Sequence, residues 1–191
     1  HYASLEVIFT PLNWSGLLII HSALDGTVIN NNVRKFSNFK KKHLNCLETD
    51  MPNPDTIFLK MQTNQSHIQM AQAARTRLFY KEKPVDTVQR HIVRKDAYIA
   101  QEMKLEVQTN QSIRIEKTLA LYTSRDNAIS ECGQEARKWI ARAPGFTTLY
   151  QRQVDAWDHL WHRFDIDVDM TVPHMKKRAS LILRLHVFHL L

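Results

Sequence analysis

The sequence predicts a mainly β fold followed by a helical segment, and three observations support this prediction. Up to about residue 120 of the 191, several runs alternate apolar and polar side chains, which is the period of a β-strand. From Ser124 onward, apolar residues recur every three or four positions, which is the period of a helix. The pentapeptide Gln-Thr-Asn-Gln-Ser occurs twice, each time between two β-like runs. We therefore expect antiparallel strands first and helices second.

The first strands are predicted from alternation and from turn residues. Leu5, Val7 and Phe9 alternate with their neighbours, and residues 17–20 form a second apolar run. Residues 11–16 lie between these runs and contain Pro and Gly, so we expect a turn there. Asp25-Gly26 is a strong turn dipeptide, and residues 27–29 continue as a β-like run.

The repeated pentapeptide occupies residues 62–66 and 108–112. The flanking β-like runs are residues 56–61 and 67–80 for the first copy, and residues 98–107 and 113–122 for the second. A duplicated module would explain the repeat, but two copies of five residues favour convergent turn chemistry within one antiparallel sheet. Either interpretation predicts a β-hairpin at each copy.

Three helical stretches follow the strands. Ser124, Arg125 and Asp126 are typical of a helix N-terminus, so the first helix is expected from there to Ala143. Pro144-Gly145 ends it, and a wide apolar stripe follows over residues 146–164. Pro173 opens a third stretch that is apolar nearly all round, which is typical of a buried helix.

The composition excludes several classes of protein. The formal net charge of +7 permits acidic partners without requiring them. Only four glycines are present and neither Gly-rich phosphate-loop motif occurs, which argues against a nucleotide-binding loop. Two cysteines, Cys46 and Cys132, are too few for a disulfide framework, so free thiols in a reducing compartment are expected. No apolar run is long enough to cross a membrane.

Three further patterns could carry chemistry but have simpler explanations. Two His pairs, His159/His162 and His186/His189, have i, i+3 spacing. No third ligand accompanies either pair, so no metal is expected. The acidic run around Asp167 lacks the glycine and the terminal Glu of a calcium loop. A basic cluster at residues 34–42, with two interleaved phenylalanines, is short, and we expect no nucleic-acid partner.

Both ends of the sequence resemble interrupted elements. The N-terminal residues already alternate like the middle of a strand, and no residue that stops a helix occurs near Leu191. We therefore expect the sequence to be a segment of a longer protein.

Several motifs occur in an order that resembles glycoside hydrolase family 65, which includes maltose, trehalose and kojibiose phosphorylases and some hydrolases. They are residues 10–16 (TPLNWSG), residues 22–26 (SALDG), Glu116-Lys117 with residues 122–126 (YTSRD), residues 156–161 with Asp165-Ile166, and residues 184–191. Together they extend over nearly the whole chain.

This resemblance implies a partial fold of known type. Residues 1–123 would form part of a supersandwich-like N-terminal antiparallel β-sandwich. Residues 124–169 would form helical linker elements, and residues 170–191 the first helix of a truncated (α/α)6 catalytic barrel. Within that architecture, we expect an apolar set on the linker and barrel helices to pack between domains. The set is Trp157, Leu160, Trp161, Phe164 and Phe188.

The resemblance also implies a function for the parent protein. The family cleaves α-glucosidic disaccharides with inversion, using phosphate in phosphorylases and activated water in hydrolases. No position here matches the family's catalytic motif, so no catalytic or substrate-binding residue is assigned, and Glu116 and Asp126 have no support as the acid. The fragment alone is expected to be inactive, with phosphate as co-substrate of the parent and no other cofactor.

The expected partners are the barrel of the same polypeptide, a disaccharide bound by the parent enzyme and a second copy in a homodimer. The expected location is the cytoplasm, with no membrane partner. A stand-alone carbohydrate-binding or dimerisation β-sandwich module is the alternative.

Overall fold

A computed structural model describes residues 1–29, 42–85, 87–164, 166 and 173–190. The strands are β1 (Tyr2–Phe9), β2 (Gly16–Asp25), β3 (Leu44–Asn53), β4 (Thr56–Thr63), β5 (Gln69–Tyr80), β6 (Lys83–Pro84), β7 (Gln89–Lys95), β8 (Tyr98–Val107) and β9 (Ile113–Thr123). The helices are α1 (Cys132–Arg142), α2 (Phe146–Phe164) and α3 (Pro173–Leu190). The predictions for residues 34–41 and for the acidic run at 165 and 167–169 lie outside the described residues.

The strands form two antiparallel sheets. The six-stranded sheet has the order β1-β9-β5-β4-β3, with the short β6 pairing with β5, and the three-stranded sheet has the order β2-β8-β7. Every pair in both sheets is antiparallel. The predicted class, antiparallel β-structure followed by α-helices, is confirmed.

The two sheets face each other across an apolar core. Ile57 and Leu59 of β4 and Ala74 of β5 pack there with Ile99 of β8, and all four are almost completely buried. Phe58 alternates with its neighbours on β4 and packs beneath α1 on the opposite face of the sheet. Because both faces of β4 are covered, its sequence is nearly continuously apolar instead of alternating.

Helix α1 begins later than the sequence predicted. Its N-cap is Glu131, not Ser124. Ser124 instead extends the pairing of β5 with β9, since its backbone N–H donates to Gln69 O at 2.9 Å and its hydroxyl accepts from Gln69 N at 3.1 Å. The chain therefore remains hydrogen-bonded to the sheet at Ser124, and the N-cap lies seven residues further along, at Glu131.

The predicted turn at residues 11–16 is not a hairpin. It carries the chain from β1 in the six-stranded sheet to β2 in the three-stranded sheet, and we call it the first crossover. The run at residues 27–29 is not a strand either. Thr27 donates both its N–H (2.8 Å) and its hydroxyl (2.6 Å) to the Asp25 carboxylate, which ends β2. Both hydrogen bonds lower the pKa of Asp25, and the one from the Thr27 hydroxyl has the larger effect.

The two pentapeptide copies have different roles. Residues 62–66 form the predicted hairpin, in which β4 and β5 pair up to Gln62 opposite Gln69. Residues 108–112 do not form a hairpin: β8 and β9 belong to different sheets, so this segment is a second crossover. Both copies make tight turns, but the partner of the strand that follows is chosen by packing across the whole domain.

The chain divides into two compact units, residues 1–146 and residues 147–191. Helix α1 belongs to the first unit, where it packs on β5 and β9. Helices α2 and α3 belong to the second, and none of the described residues of α2 is buried. Among the helices that the structure describes, none combines the length and apolar character needed to span a membrane.

Candidate functional site

The first candidate region is the place where the two crossovers meet. The backbone N–H of Asn110 donates to Pro11 O at 2.7 Å, and the hydroxyl of Thr109 donates to Trp14 O at 2.8 Å. The Thr109 N–H donates to Ser15 Oγ at 2.9 Å. The motif at residues 10–16 is therefore hydrogen-bonded to the second pentapeptide copy. This arrangement gives those motif residues a structural role in joining the two sheets.

A charged row crosses the outer face of the six-stranded sheet. Glu6, Glu116 and Arg77 lie opposite one another on β1, β9 and β5. Arg77 donates to Glu116 Oε2 at 2.9 Å, and Arg114 donates to the other oxygen of Glu116 and, at 3.2 Å, to Glu6. The Arg114 guanidinium also lies 4.0 Å from the centre of the Phe79 ring.

Glu116 is the buried carboxylate of this row, with only 3% of its surface exposed. Each of its oxygens accepts a charge-assisted hydrogen bond from a guanidinium. Burial alone would lower the pKa of Arg114, but the hydrogen bond to Glu116 and the nearby carboxylates raise it. Glu116 thus holds the Arg77 and Arg114 guanidinium groups in place on the outer face of the sheet.

A cleft of about 550 Å³ lies beside this row, between the β3–β4 turn, β5 and the last turn of α1. It contains three arginines. Arg75 donates to the Ala143 carbonyl that follows α1, and Arg90 donates to Gln101 Oε1 at 2.8 Å and to Thr76 O at 2.9 Å. Burial lowers the pKa of both arginines. The Arg75 contact caps the C-terminus of α1. The Arg90 contact with Thr76 connects β7 of the three-stranded sheet to β5 of the six-stranded sheet.

The predicted interdomain residues lie on the two helices of the second unit. Trp157 stacks on Trp161 of the same helix, with ring centres 6.2 Å apart, and on Phe188 of α3 at 5.1 Å. Leu160 is half-buried, whereas Phe164 is exposed. Three of the five residues therefore form one aromatic cluster, which we call the Trp157 cluster. Their packing against a further domain stays a prediction.

The His pairs and cysteines show no sign of a metal centre. Among the described residues, no group of three or more His, Cys, Asp and Glu side chains is arranged to hold a metal ion. His162 contacts the carbonyl of Asp158, one turn earlier, at 2.7 Å. Cys46 and Cys132 are free thiols, and burial raises the pKa of Cys132.

Sequence reasoning missed the charged row. Its signal was present, because Arg114 and Glu116 are oppositely charged residues two positions apart in a predicted strand and so share one face of β9. The opposing charges on β1 and β5 could not be placed without the strand register. The N-cap at Glu131 was also missed, because Glu is not among the preferred N-cap residues. Its ion pair with Lys60 of β4 depends on how α1 packs on the sheet.

The chain resembles known proteins over most or all of its length. The family model for the N-terminal domain of glycosyl hydrolase family 65 matches residues 1–160. An uncharacterised glycosyl hydrolase of Mycobacterium tuberculosis is 31% identical over 188 residues, which is 98% of this chain and 14% of the relative. Kojibiose phosphorylase of Thermoanaerobacter brockii is 26% identical over 199 residues, which is all of this chain and 24% of the relative.

A solved structure shares the fold. A chain from the human microbiome, provisionally named kojibiose phosphorylase, superposes with a TM-score of 0.61 at 12% identity, over 84% of this chain and 19% of that one. The chain spans about a quarter or less of the length of each of these relatives. It belongs to the N-terminal domain family of glycosyl hydrolase family 65.

Proposed function

We propose that the chain is a non-catalytic N-terminal segment of an enzyme that cleaves an α-glucosidic disaccharide with inversion, by phosphate or by water. The observation that carries this proposal is the family match over residues 1–160, in a chain that covers 24% of a kojibiose phosphorylase. The catalytic groups would then belong to the larger remainder of such a protein.

The contacts of two carboxylates, Glu116 and Glu131, support a non-catalytic role for these residues. Inverting cleavage needs a general acid beside the glycosidic oxygen and, in a hydrolase, a second carboxylate that activates water. Glu116 is bound by two arginines, and Glu131 accepts hydrogen bonds from Lys60 and from the first turn of α1. Both carboxylates are therefore engaged by protein groups.

The proposed partner is an (α/α)6 catalytic barrel on the same polypeptide. The Trp157 cluster supports this, because Trp157 is only half-buried and Phe188 is 48% exposed, and such aromatic faces favour burial against another surface.

Inorganic phosphate would be the co-substrate of a phosphorylase, and homodimerisation and a cytoplasmic location remain part of the proposal. The two free thiols suit a reducing compartment.

The test compares this chain with a longer protein that contains it and a barrel. Each is incubated with kojibiose, trehalose and maltose, with and without phosphate, and the anomer formed is identified by proton NMR. We expect the longer protein to produce β-glucose 1-phosphate or β-glucose from one of these sugars, and the 191-residue chain to produce neither. Turnover by the 191-residue chain alone would overturn the proposal.

The alternative, a stand-alone binding or dimerisation module, is tested by the mass of the protein in its source cells. A mass several-fold above 22.4 kDa supports the enzyme segment. A mass of 22.4 kDa supports the module.

A further inference from the structure

A second cleft, of about 410 Å³, lies where the β5–β6 turn meets the second crossover. We call it the turn cleft. Its lining includes Phe79, Tyr80, Lys81, Glu82, Asn110 and Arg114. Its volume falls within the range of about 300–1,000 Å³ that small-molecule sites occupy.

Three residues of the turn cleft have a backbone conformation that favours glycine. Lys81, Glu82 and Asn110 have φ values of 49°, 62° and 62°. Lys81 and Glu82 are the two central residues of a hairpin turn in which Tyr80 pairs with Lys83. Such turns prefer Asn-Gly, because both central residues need positive φ. Two long charged side chains thus occupy positions that turn geometry alone would give to smaller residues, and this kind of local conflict is typical of functional sites.

The side chains of the turn cleft offer donors and acceptors around aromatic rings. The Lys81 ammonium lies 5.1 Å from the centre of the Tyr80 ring, and the Tyr80 hydroxyl donates to Gln111. Glu82 accepts from Arg114 at 3.0 Å while its side chain remains 81% exposed. Its remaining lone pairs are therefore accessible to a ligand.

This mixture of charges selects against simple ions. An oxyanion would meet the Glu82 carboxylate, and a metal cation would meet the Lys81 ammonium and the Arg114 guanidinium. A neutral ligand rich in hydroxyl groups fits better, because each hydroxyl can donate to a carboxylate and accept from an ammonium or amide. The apolar C–H face of a sugar ring can in turn pack on Tyr80, whereas the Phe79 ring already contacts the Arg114 guanidinium.

We propose that the turn cleft binds one or two sugar rings of an α-linked glucose disaccharide. The inference rests on the proposed function only in the choice of glucose disaccharides as ligands. Glu82 and Asn110 would contact the sugar hydroxyls, and Tyr80 would support a ring face.

The experiment titrates the 191-residue chain with kojibiose, trehalose and maltose, and follows backbone amide shifts by NMR. We expect saturable binding of at least one sugar with a dissociation constant of roughly 1 mM, and shifts concentrated at residues 79–82 and 110–114. Glu82→Gly and Asn110→Gly should each weaken binding about tenfold or more. Because glycine relieves the positive φ, neither variant should lose thermal stability through backbone strain.

The matched control is His67→Gly. His67 also has positive φ, 53°, but does not line the turn cleft. This variant should bind sugar as the unchanged chain does. The proposal is overturned if no sugar binds at about 10 mM, if Glu82→Gly and Asn110→Gly bind as well as His67→Gly, or if only phosphate or Ca²⁺ shifts these residues. Sugar cleavage by the longer protein combined with no binding here would refute this inference and leave the proposed function intact.

Discussion

Lys60 of β4 donates a 2.6 Å hydrogen bond to Glu131, the residue that caps the N-terminus of α1. The same carboxylate accepts from the backbone N–H groups of Gly133 at 2.9 Å and Gln134 at 2.7 Å. Burial by itself would raise the pKa of Glu131, but the hydrogen bonds from Lys60 and from these two amides outweigh it and lower the pKa to about 2. One side chain thus joins the helix to the sheet beneath it.

Replacing Glu131 with alanine should lower the free energy of unfolding by about 1–2 kcal/mol, the usual effect of removing an N-cap. Lys60, whose side chain is only 15% exposed, would also lose its carboxylate partner. Denaturant unfolding monitored by circular dichroism measures the change. Gln134→Ala, at an exposed position in the same turn, is the control and should change little. Equal stability of the two variants would exclude the capping role.

The same residue predicts a dependence of stability on pH. The folded-state pKa of Glu131 is lowered to about 2, below the unfolded value of about 4.3. Its stabilisation is therefore fully present above the unfolded pKa and is lost as the pH falls through the folded one. The stability difference between the unchanged chain and Glu131→Gln should shrink from about pH 5 to about pH 2. A difference that stays constant over that range would contradict the lowered pKa.

Glu116→Ala should destabilise the first unit strongly, by about 3 kcal/mol or more, because it removes the shared partner of Arg77 and Arg114. Glu116→Gln, which keeps the shape and two lone pairs, should cost less. Thermal and denaturant unfolding provide the values. Glu106→Ala, at an exposed position on β8, serves as the control. If Glu116→Ala were as stable as this control, the charged row would have no structural role.

Ser15→Ala should test the contact between the two crossovers. It removes the acceptor of the Thr109 N–H and the hydroxyl that pairs with the Thr109 hydroxyl at 3.0 Å. A loss of about 1–2 kcal/mol is expected, as for two exposed hydrogen bonds. Amide hydrogen exchange at Thr109 should accelerate in the variant. The exposed Ser130 provides a control substitution to alanine. Unchanged exchange at Thr109 would mean that the crossovers are held by other contacts.

Trp157→Ala should have different effects in a short and a long protein. In this chain Trp157 is half-buried and stacks on two rings, so a loss of about 1–3 kcal/mol is expected for the helical unit. In a protein that covers the Trp157 cluster with a further domain, the loss should rise to about 3–5 kcal/mol, as for a fully buried tryptophan. Thermal unfolding of both proteins, with His159→Ala as an exposed control, gives the comparison. Equal losses in the two proteins would argue against burial of the cluster.

Local residue patterns were enough to predict that strands come first and helices second, and to predict the hairpin at residues 62–66. Alternation and helical periodicity depend only on which face of an element is buried, so they can be read directly from the chain. The family motif at residues 10–16 was equally visible, although its hydrogen bonds to the second crossover were not.

The pentapeptide at residues 108–112 could not be distinguished from its copy at 62–66, because turn chemistry is set locally. Whether the next strand pairs with the one just finished or crosses to the other sheet depends on contacts far apart in sequence, such as Tyr2 opposite Ala120. Strand register likewise brought Glu6, Glu116 and Arg77 together. Pairing and register are properties of the packed domain, since the free energy that selects them comes from burying both sheets at once.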